Sequence, residues 1–537
     1  MPYAPPADAP RCAVVDLGSN SVRLVVFEGQ CRNPVAIFNE KAVLRLGRGL
    51  QTTGRLNEEG MGQAFTVMHR YRAVARAMGA LPFEVLATAA VRDARNGPDF
   101  VAGLQARMPD VPIHVLSGLQ EAEYSAVGVL CGIPTADGIL ADIGGGSLEM
   151  VRLDRGTRGS SQTLSLGAIR LAERAGGDPV RARAIADADL ATVQWLAEGA
   201  NRDLYLVGGA WRALARIHMV QTGYPLQMVH HYTIGREEAR DLTGVIAGAG
   251  RRALERMPGL SRRRIDDLPF AAVALRCVLR ATGVRRVVFS ASGLREGWFM
   301  QRMPVEIRSQ DPLLAAGREL AARLGRDANL PPALFAWTDP LFPQETGEAR
   351  RLREVACWMS DIGSHDHPEF RAEQAFLRVL RQPGIGLDHH ARAFLAMATA
   401  MRYEVDAEAA FLRPLDLRIP IRPLDEPQHK PALVAARQGR EPIDERQRAR
   451  LIGLDRETEP IPAGEVGMAR EAFEKVEREL ESIRLLGVDR HADPGRLRLL
   501  RERQKQRRQC IENAGALSLF VARMKRRQLH GNSRRMR

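Results

Sequence analysis

One device occurs twice in this chain, and it narrows the possible folds more than any other feature. After the apolar run Cys12 to Val15 comes DLGSNSVRLVVFEG, which reads as the end of a buried strand, a tight glycine turn and a returning strand. The segment 139–156, ILADIGGGSLEMVRLDRG, repeats the order: apolar run, aspartate, Gly-rich turn, hydroxyl residue, apolar strand. At an offset of 126 residues Asp16 matches Asp142, Gly18 matches Gly144 and Ser21 matches Ser147. A single repeat at so long a spacing predicts two similar lobes rather than a solenoid. In the returning strands Val22, Leu24 and Leu148, Met150 can face a core. That leaves Ser21, Arg23 and Ser147, Glu149 on the other face, where polar groups of both lobes can converge on one cleft.

A chain of 537 residues has room for three or four domains. Between the two hairpins, Glu58 to Met78 reads as an amphipathic helix, PFEVLATAAVRDARNGPDF as strand, turn and helix, and VPIHVLS as a strand. A further helix begins near Leu119, with Glu121 in its first turn. LYLVGGAWRALARIH predicts a strand, a Gly-Gly turn and a helix N-terminus, and VRRVVFSASGLREGWF closes the second lobe with another strand and turn. Alternating strands and helices predict an α/β class. From about Val305 helical patterns dominate, clearest in LLAAGRELAARLGR, EARRLREVACWMSDIG and HARAFLAMATAMRYEV. We therefore divide the chain into a first lobe over 11–133, a second over 134–304 and a helical domain over 305–430. The rest, 431–537, comprises linker, amphipathic helix and basic tail; the Pro-rich linker character begins near 416, and Phe473, Val476, Leu480 and Ile483 mark the helix.

Composition excludes several classes. Hydrophobic residues at 45% and charged residues at 26% are ordinary for folded protein, against wholesale disorder. Six widely spaced cysteines, without a CxxC pair or Cys/His ligand spacing, argue against a disulfide framework and a zinc site. The start lacks a signal-peptide pattern and no run of 18 apolar residues occurs, so the expected location is cytoplasmic, with no membrane partner. Of the net charge of +14, +10 falls in Arg501 to Arg537, which holds twelve basic and two acidic residues. This tail is either a solvated end or an arm that holds a polyanion; nucleic acid is not the expected partner. Only five of the 78 basic residues are lysines, a skew assigned to codon composition.

A Gly-rich turn after a buried strand exposes consecutive backbone N–H groups, and such a nest binds anions, phosphate above all. Two facing turns would grip adjacent phosphates. A carboxylate beside phosphates acts through a cation, which makes Asp16 and Asp142 candidates for Mg2+. Arg92 would take two phosphate oxygens at once, or simply pair with Asp93. Glu121 by itself also reads as an ordinary first-turn acid that complements the helix dipole. Gly208 and Gly209 form a third turn before a helix. GxxxxGK[ST], GxSxG, HExxH and a GxGxxG opening a βαβ unit are all absent.

The paired turns resemble those of the acetate-kinase, sugar-kinase, Hsp70 and actin superfamily, a duplicated ribonuclease-H-like fold. The full series VVDLGSNSVRLVV, ATAAVRDARNG, LSGLQEAEYSAVGV, LADIGGGSLEMV, SLGAIRLAE, LVGGAWRALA, RIDDLP and SASGLREG resembles one branch, the exopolyphosphatase and guanosine pentaphosphate phosphohydrolase (Ppx/GppA) family. The resemblance spans residues 11 to 300. It implies α/β ribonuclease-H-like lobes followed by an all-α C-terminal domain. It implies that Glu121 is the catalytic base for water, with Glu149 a second functional acid, and that Asp16 and Asp142 serve Mg2+; whether K+ also activates is left open by the sequence. Ser19, Asn20, Ser21, Arg92, Gly144, Gly145, Gly146, Ser147, Gly208 and Gly209 would hold phosphates, and Arg23 and Arg264 would be further substrate contacts. The implied reaction releases orthophosphate from inorganic polyphosphate or, in the same cleft, from guanosine pentaphosphate, and the implied assembly is a homodimer. A kinase of the same superfamily and a polyphosphate- or nucleotide-sensing scaffold without turnover are the alternatives. CWMSDIGSHDHPEF resembles the core of an HD phosphohydrolase, yet Ser360 precedes Asp361 where such an enzyme places a metal-binding histidine. His365, His367, His389 and His390 are accordingly read as surface or structural.

Overall fold

The computed structural model describes residues 10–29, 31–383 and 386–403; the linker, the Phe473 helix and the basic tail lie outside the described residues. Backbone contacts gather the described residues up to Ala316, together with Gln382–His389, into one unit, and Gly317–Arg381 with the described residues from His390 into a second.

The first unit is built on two sheets of matching topology. One consists of β1 (Arg11–Leu17), β2 (Ser21–Glu28), β3 (Val35–Val43), β4 (Ala80–Ala87) and β5 (Ile113–Val115), in the order β3-β2-β1-β4-β5. The other consists of β6 (Gly138–Ile143), β7 (Leu148–Asp154), β8 (Thr157–Leu164), β9 (Asp203–Val207), β10 (Tyr232–Gly235) and β11 (Arg286–Phe289), in the order β10-β11-β9-β6-β7-β8. In each, an antiparallel meander of three strands is extended by two parallel strands, β4 and β5 or β9 and β11; β10 is added antiparallel to β11. The duplication read from the twin turns is thus a duplication of whole sheets.

Both faces of each sheet are covered, and the strand period of two sorts the side chains. Ala13, Val15 and Leu17 face a core with Met68 and Tyr71 of the helix Glu58–Ala77, whereas Cys12 and Val14 face Trp298, Phe299 and Met300. Those three belong to the helix Leu294–Arg302, which follows β11 of the second sheet but covers the first. The segment after β11 therefore does not close the second lobe, as its sequence position suggests: its aromatic side is the missing cover for β1 and β2. The reverse exchange is made by the helix Gly118–Gly132. It follows β5, yet Ala122, Ala126 and Val129 pack on Leu140, Val151 and Tyr205 of the second sheet. The two crossing helices touch through glycines: a Cβ on Gly128 would overlap the Gly293 carbonyl, and one on Gly297 that of Tyr124.

In the second unit the helix Gly347–Met359 is the one the EARRLREVACWMSDIG pattern predicts, and the helices Leu330–Thr338 and Arg371–Arg381 stand with it although no pattern singled them out. The Asp361 carboxylate is held by Arg326 through its backbone N–H at 3.0 Å and its guanidinium at 2.8 and 3.0 Å. His365 and His367 are exposed. His389, in the first unit, is buried between the Tyr224 hydroxyl (2.9 Å) and the His230 carbonyl (2.8 Å). Among the described residues no helix is long and apolar enough to cross a membrane.

Candidate active site

The two glycine turns are built alike. Gly18 N–H donates to Ser21 O at 3.1 Å and, at the equivalent place, Gly144 N–H donates to Ser147 O at 2.9 Å. They also meet. A Cβ on Gly145 would lie 3.0 Å from Ser19 Cβ, and one on Gly146 would lie 2.9 Å from Ser19 Oγ, so the turns of opposite lobes are in contact across the cleft. Their carbonyls are drawn off by neighbouring chain: Gly47 N–H donates to Ser19 O, Leu44 and Arg45 to Asn20 O, and Ala168, Ile169 and Arg170 to Gly144 O and Gly145 O. The N–H groups of Ser19, Asn20, Gly145 and Gly146 take no acceptor among the described residues, the condition an anion-binding nest requires.

Asp16 and Asp142 end the central strands of their sheets, one residue before Leu17 and Ile143. Asp16 Oδ2 lies 3.4 Å from Arg295 Nη1, and Asp142 Oδ2 accepts from the Ser125 hydroxyl. Glu149 faces Asp142 in the β6–β7 register and is 3% exposed, with Oε1 lacking a hydrogen-bond partner. The alternation had placed Glu149 on the open face; the helix Gly118–Gly132 covers that face and buries it.

Glu121 sits in the first turn of that helix, whose start is fixed by a capping box: Gln120 N–H donates to Ser117 Oγ at 3.2 Å and Ser117 N–H to Gln120 Oε1 at 2.9 Å. Only 6% exposed, it is far from an ordinary dipole-complementing acid. Burial pushes its carboxyl up to about 8, against the pull of Arg92, with the charges of Asp142 and Asp16 adding to the rise. Glu149 is raised well above the usual range by burial and then by Glu121 and Asp142, and Asp142 is raised by burial despite the Ser125 hydroxyl. Asp142 raises both glutamates, and Glu121 raises Glu149, so acids gathered in a desolvated place would welcome a cation. Hard oxygen donors, one of them unpartnered, suit a divalent cation such as Mg2+, which takes one or two carboxylates and leaves its other positions to phosphate and water. Among the described residues no three-ligand protein cage is preassembled.

Arg92 is on a short helix, Ala89–Asp93, that follows β4 directly. It donates to Glu121, to the Leu116 carbonyl at 3.0 Å and to Asp93 at 3.1 Å, so the plain reading (a pair with Asp93) and a place in the cleft hold together. Gly208 packs on Ile143 O, beside Asp142, and adopts φ 107°, open to glycine. The Arg264 guanidinium covers Gly209 so closely that a Cβ there would collide with it.

Toward the outer cleft Asp16, Arg23 and Lys41 lie in register across β1, β2 and β3. Lys41 is lowered to about 8 by desolvation and then by Arg264, Arg23 and Arg212, while Arg23 is lowered by burial and Arg295. Lys41, Arg170, Arg212 and Arg295 are cleft residues that sequence reasoning missed. The signals were available: Lys41 is the only lysine before Lys430, and Arg170 lies inside SLGAIRLAE.

Residues 25–306 match the model of the Ppx/GppA phosphatase family, and residues 313–418 match the model described as exopolyphosphatase, C-terminal. The chain is 26% identical over 437 residues to retrograde regulation protein 2 of Saccharomyces cerevisiae, covering 73% of this chain and 72% of that protein. It is 28% identical over 311 residues to exopolyphosphatase 1 of Mycobacterium tuberculosis, covering 55% of this chain and 89% of that protein. Among solved structures, an exopolyphosphatase from Cytophaga hutchinsonii superposes with a TM-score of 0.49 at 23% identity, covering 53% of this chain and 96% of the other.

Proposed function

Because the chain belongs to the Ppx/GppA phosphatase family, we propose that it hydrolyses the terminal phosphoanhydride of inorganic polyphosphate and releases orthophosphate. The contact between the Ser19 and Gly145–Gly146 turns, with their N–H groups unpartnered and the buried Glu121 in the same cleft, carries this reading. Ser19, Asn20, Ser21 and Gly144 to Ser147 would cradle the last phosphates, with Gly208 and Gly209 beside them. Glu121 takes the proton of the attacking water, and its raised basicity suits it to do so near neutral pH. Phosphoryl transfer needs little else from a protein beyond positioning and neutralised charge. Asp16 and Asp142 would hold Mg2+, with Glu149 alongside; when bound, the ion offsets the charge of the phosphate oxygens. Arg23, Lys41, Arg212 and Arg264 would line the way for the remaining phosphates, each of which carries about one negative charge.

The test is colorimetric phosphate release from long polyphosphate, triphosphate and guanosine pentaphosphate, with and without Mg2+. Mg2+-dependent release, fastest on long polyphosphate, is the expected result. Preference for guanosine pentaphosphate would replace the substrate within the same chemistry. Polyphosphate binding without turnover would favour a scaffold, ADP formation from ATP with an added acceptor would favour a kinase, and either would overturn the proposal.

A further inference from the structure

The ion pairs around Arg92 do not stop at the first lobe. Asp93 presents one oxygen to Arg92 Nε at 3.1 Å and the other to Arg170 Nη2 at 2.6 Å. Arg170 belongs to the helix Ala168–Arg174 of the second lobe and is 8% exposed. Its Nη1 reaches Ser165 Oγ at 3.3 Å, its backbone N–H donates to Gly145 O at 3.0 Å, and its Nη2 lies 3.5 Å from where a Gly146 Cβ would be. A continuous chain, Glu121–Arg92–Asp93–Arg170, therefore holds Arg92 and Asp93 of the first lobe between two groups seated on the second: Glu121, whose helix packs on the second sheet, and Arg170, beside the Gly144–Ser147 turn.

We propose that Asp93 and Arg170 are positioning residues: their pair holds Arg92 of the first lobe in register with Glu121 and the Gly144–Ser147 turn on the second, so that the arginine partner of the water-activating group is aligned only when the two lobes are in contact. This rests on the phosphohydrolase reading of the cleft. Arg92 makes its bonds through Nε and Nη1. A planar guanidinium anchored at Nε by one carboxylate has its rotation fixed, whereas one held at Nη1 alone can swing. With Arg170 buried and Asp93 exposed, the pair is a poor means of raising stability, but it fixes the register of the groups it joins.

The experiment is a set of steady-state phosphate-release cycles on the full chain. Asp93→Asn and Arg170→Met each lower kcat by roughly 10- to 100-fold, the cost of a misplaced catalytic group, with KM nearly constant. The double variant is no slower than the slower single, because both changes break the same link. Added to Arg92→Met, or to Arg92→Lys, which keeps charge but loses the fork, Asp93→Asn lowers kcat no further. Losses that multiply in the double variant, or an Asp93→Asn effect as large without Arg92 as with it, would overturn the inference. So would single variants that fail to fold or whose activity merely tracks their melting temperature. A wild-type chain that releases no phosphate would sink the phosphohydrolase reading and this inference with it; an active wild type with multiplicative losses would sink this inference alone.

Discussion

Glu121 is held between opposing influences: burial raises its carboxyl and Arg92 lowers it, leaving it near 8. A base must be deprotonated to act, so kcat/KM should rise about tenfold per pH unit below this value and level off above it. A pH–rate profile checks this, and in Arg92→Met, where the lowering charge is gone, the limb should move to higher pH. Glu121→Gln should abolish the limb and lower kcat by about 10²- to 10⁴-fold while polyphosphate still binds, as read by turnover and equilibrium binding side by side. The same shift has a consequence for stability. The folded chain keeps on Glu121 a proton that the unfolded chain releases around the ordinary value of 4.5, so this contribution is whole below 4.5 and is lost as pH rises to about 8. Urea unfolding of the wild type should show it, and the Glu121→Gln protein should not. Little of this was legible from the residue alone: a glutamate in a first turn is usually a solvated dipole partner, and only the packing of its helix against β6, β7 and β9 makes this one unusual.

At the level of elements, the crossing of the helices Gly118–Gly132 and Leu294–Arg302 determines where the site can form. Each leaves the sheet it follows and covers the other sheet, so Glu121 and Arg295 are both delivered to the cleft by helices exchanged between lobes. The close approach rests on Gly128 and Gly297. Gly297→Ala should force the helices apart and destabilise the protein by about 1–3 kcal/mol, the usual cost of overpacking, measured by chemical denaturation. It should also lower activity out of proportion to its size, since Glu121 and Arg295 move with these helices. The exchange is not readable from the sequence, where the SASGLREGWF segment lies beside β11 and looks like that lobe's own closing element. The edge strands β3 and β8 also gave no clear signal: β3 is only half-buried, with Lys41 exposed, and TRGSSQTL is polar and mostly exposed, so hydrogen bonding to β2 and β7 rather than full burial makes them strands. Lys41 was overlooked along with its strand.

Across the first unit, cations stand beside the buried acids of the cleft: Lys41 feels Arg264, Arg23 and Arg212, while Arg23 feels Asp16 and Arg212 feels Asp142. Attraction of a polyanion by such a cluster weakens with ionic strength. KM for long polyphosphate should therefore rise with added salt more steeply than KM for triphosphate, and Lys41→Met should flatten that difference, as initial-rate kinetics at several salt concentrations would show. Lys41, lowered to about 8, loses its charge above that pH, so in the wild type KM for the long chain should also climb there.

The sequence alone determined what depends on neighbours along the chain: the two strand–turn–strand devices, whose glycines and hydroxyl residues follow from local backbone geometry, and the α/β pattern around them. That the turns belong to matching sheets followed from their equal order and long spacing. Tertiary structure decided everything that depends on what faces what: the contact between Ser19 and the second turn, the burial that raises Glu121 above an ordinary helix-end acid, and the Arg170 link between lobes. Desolvation and ion pairing act over a few ångströms in space, and the groups responsible stand tens of residues apart along the chain, so no local pattern could carry that information.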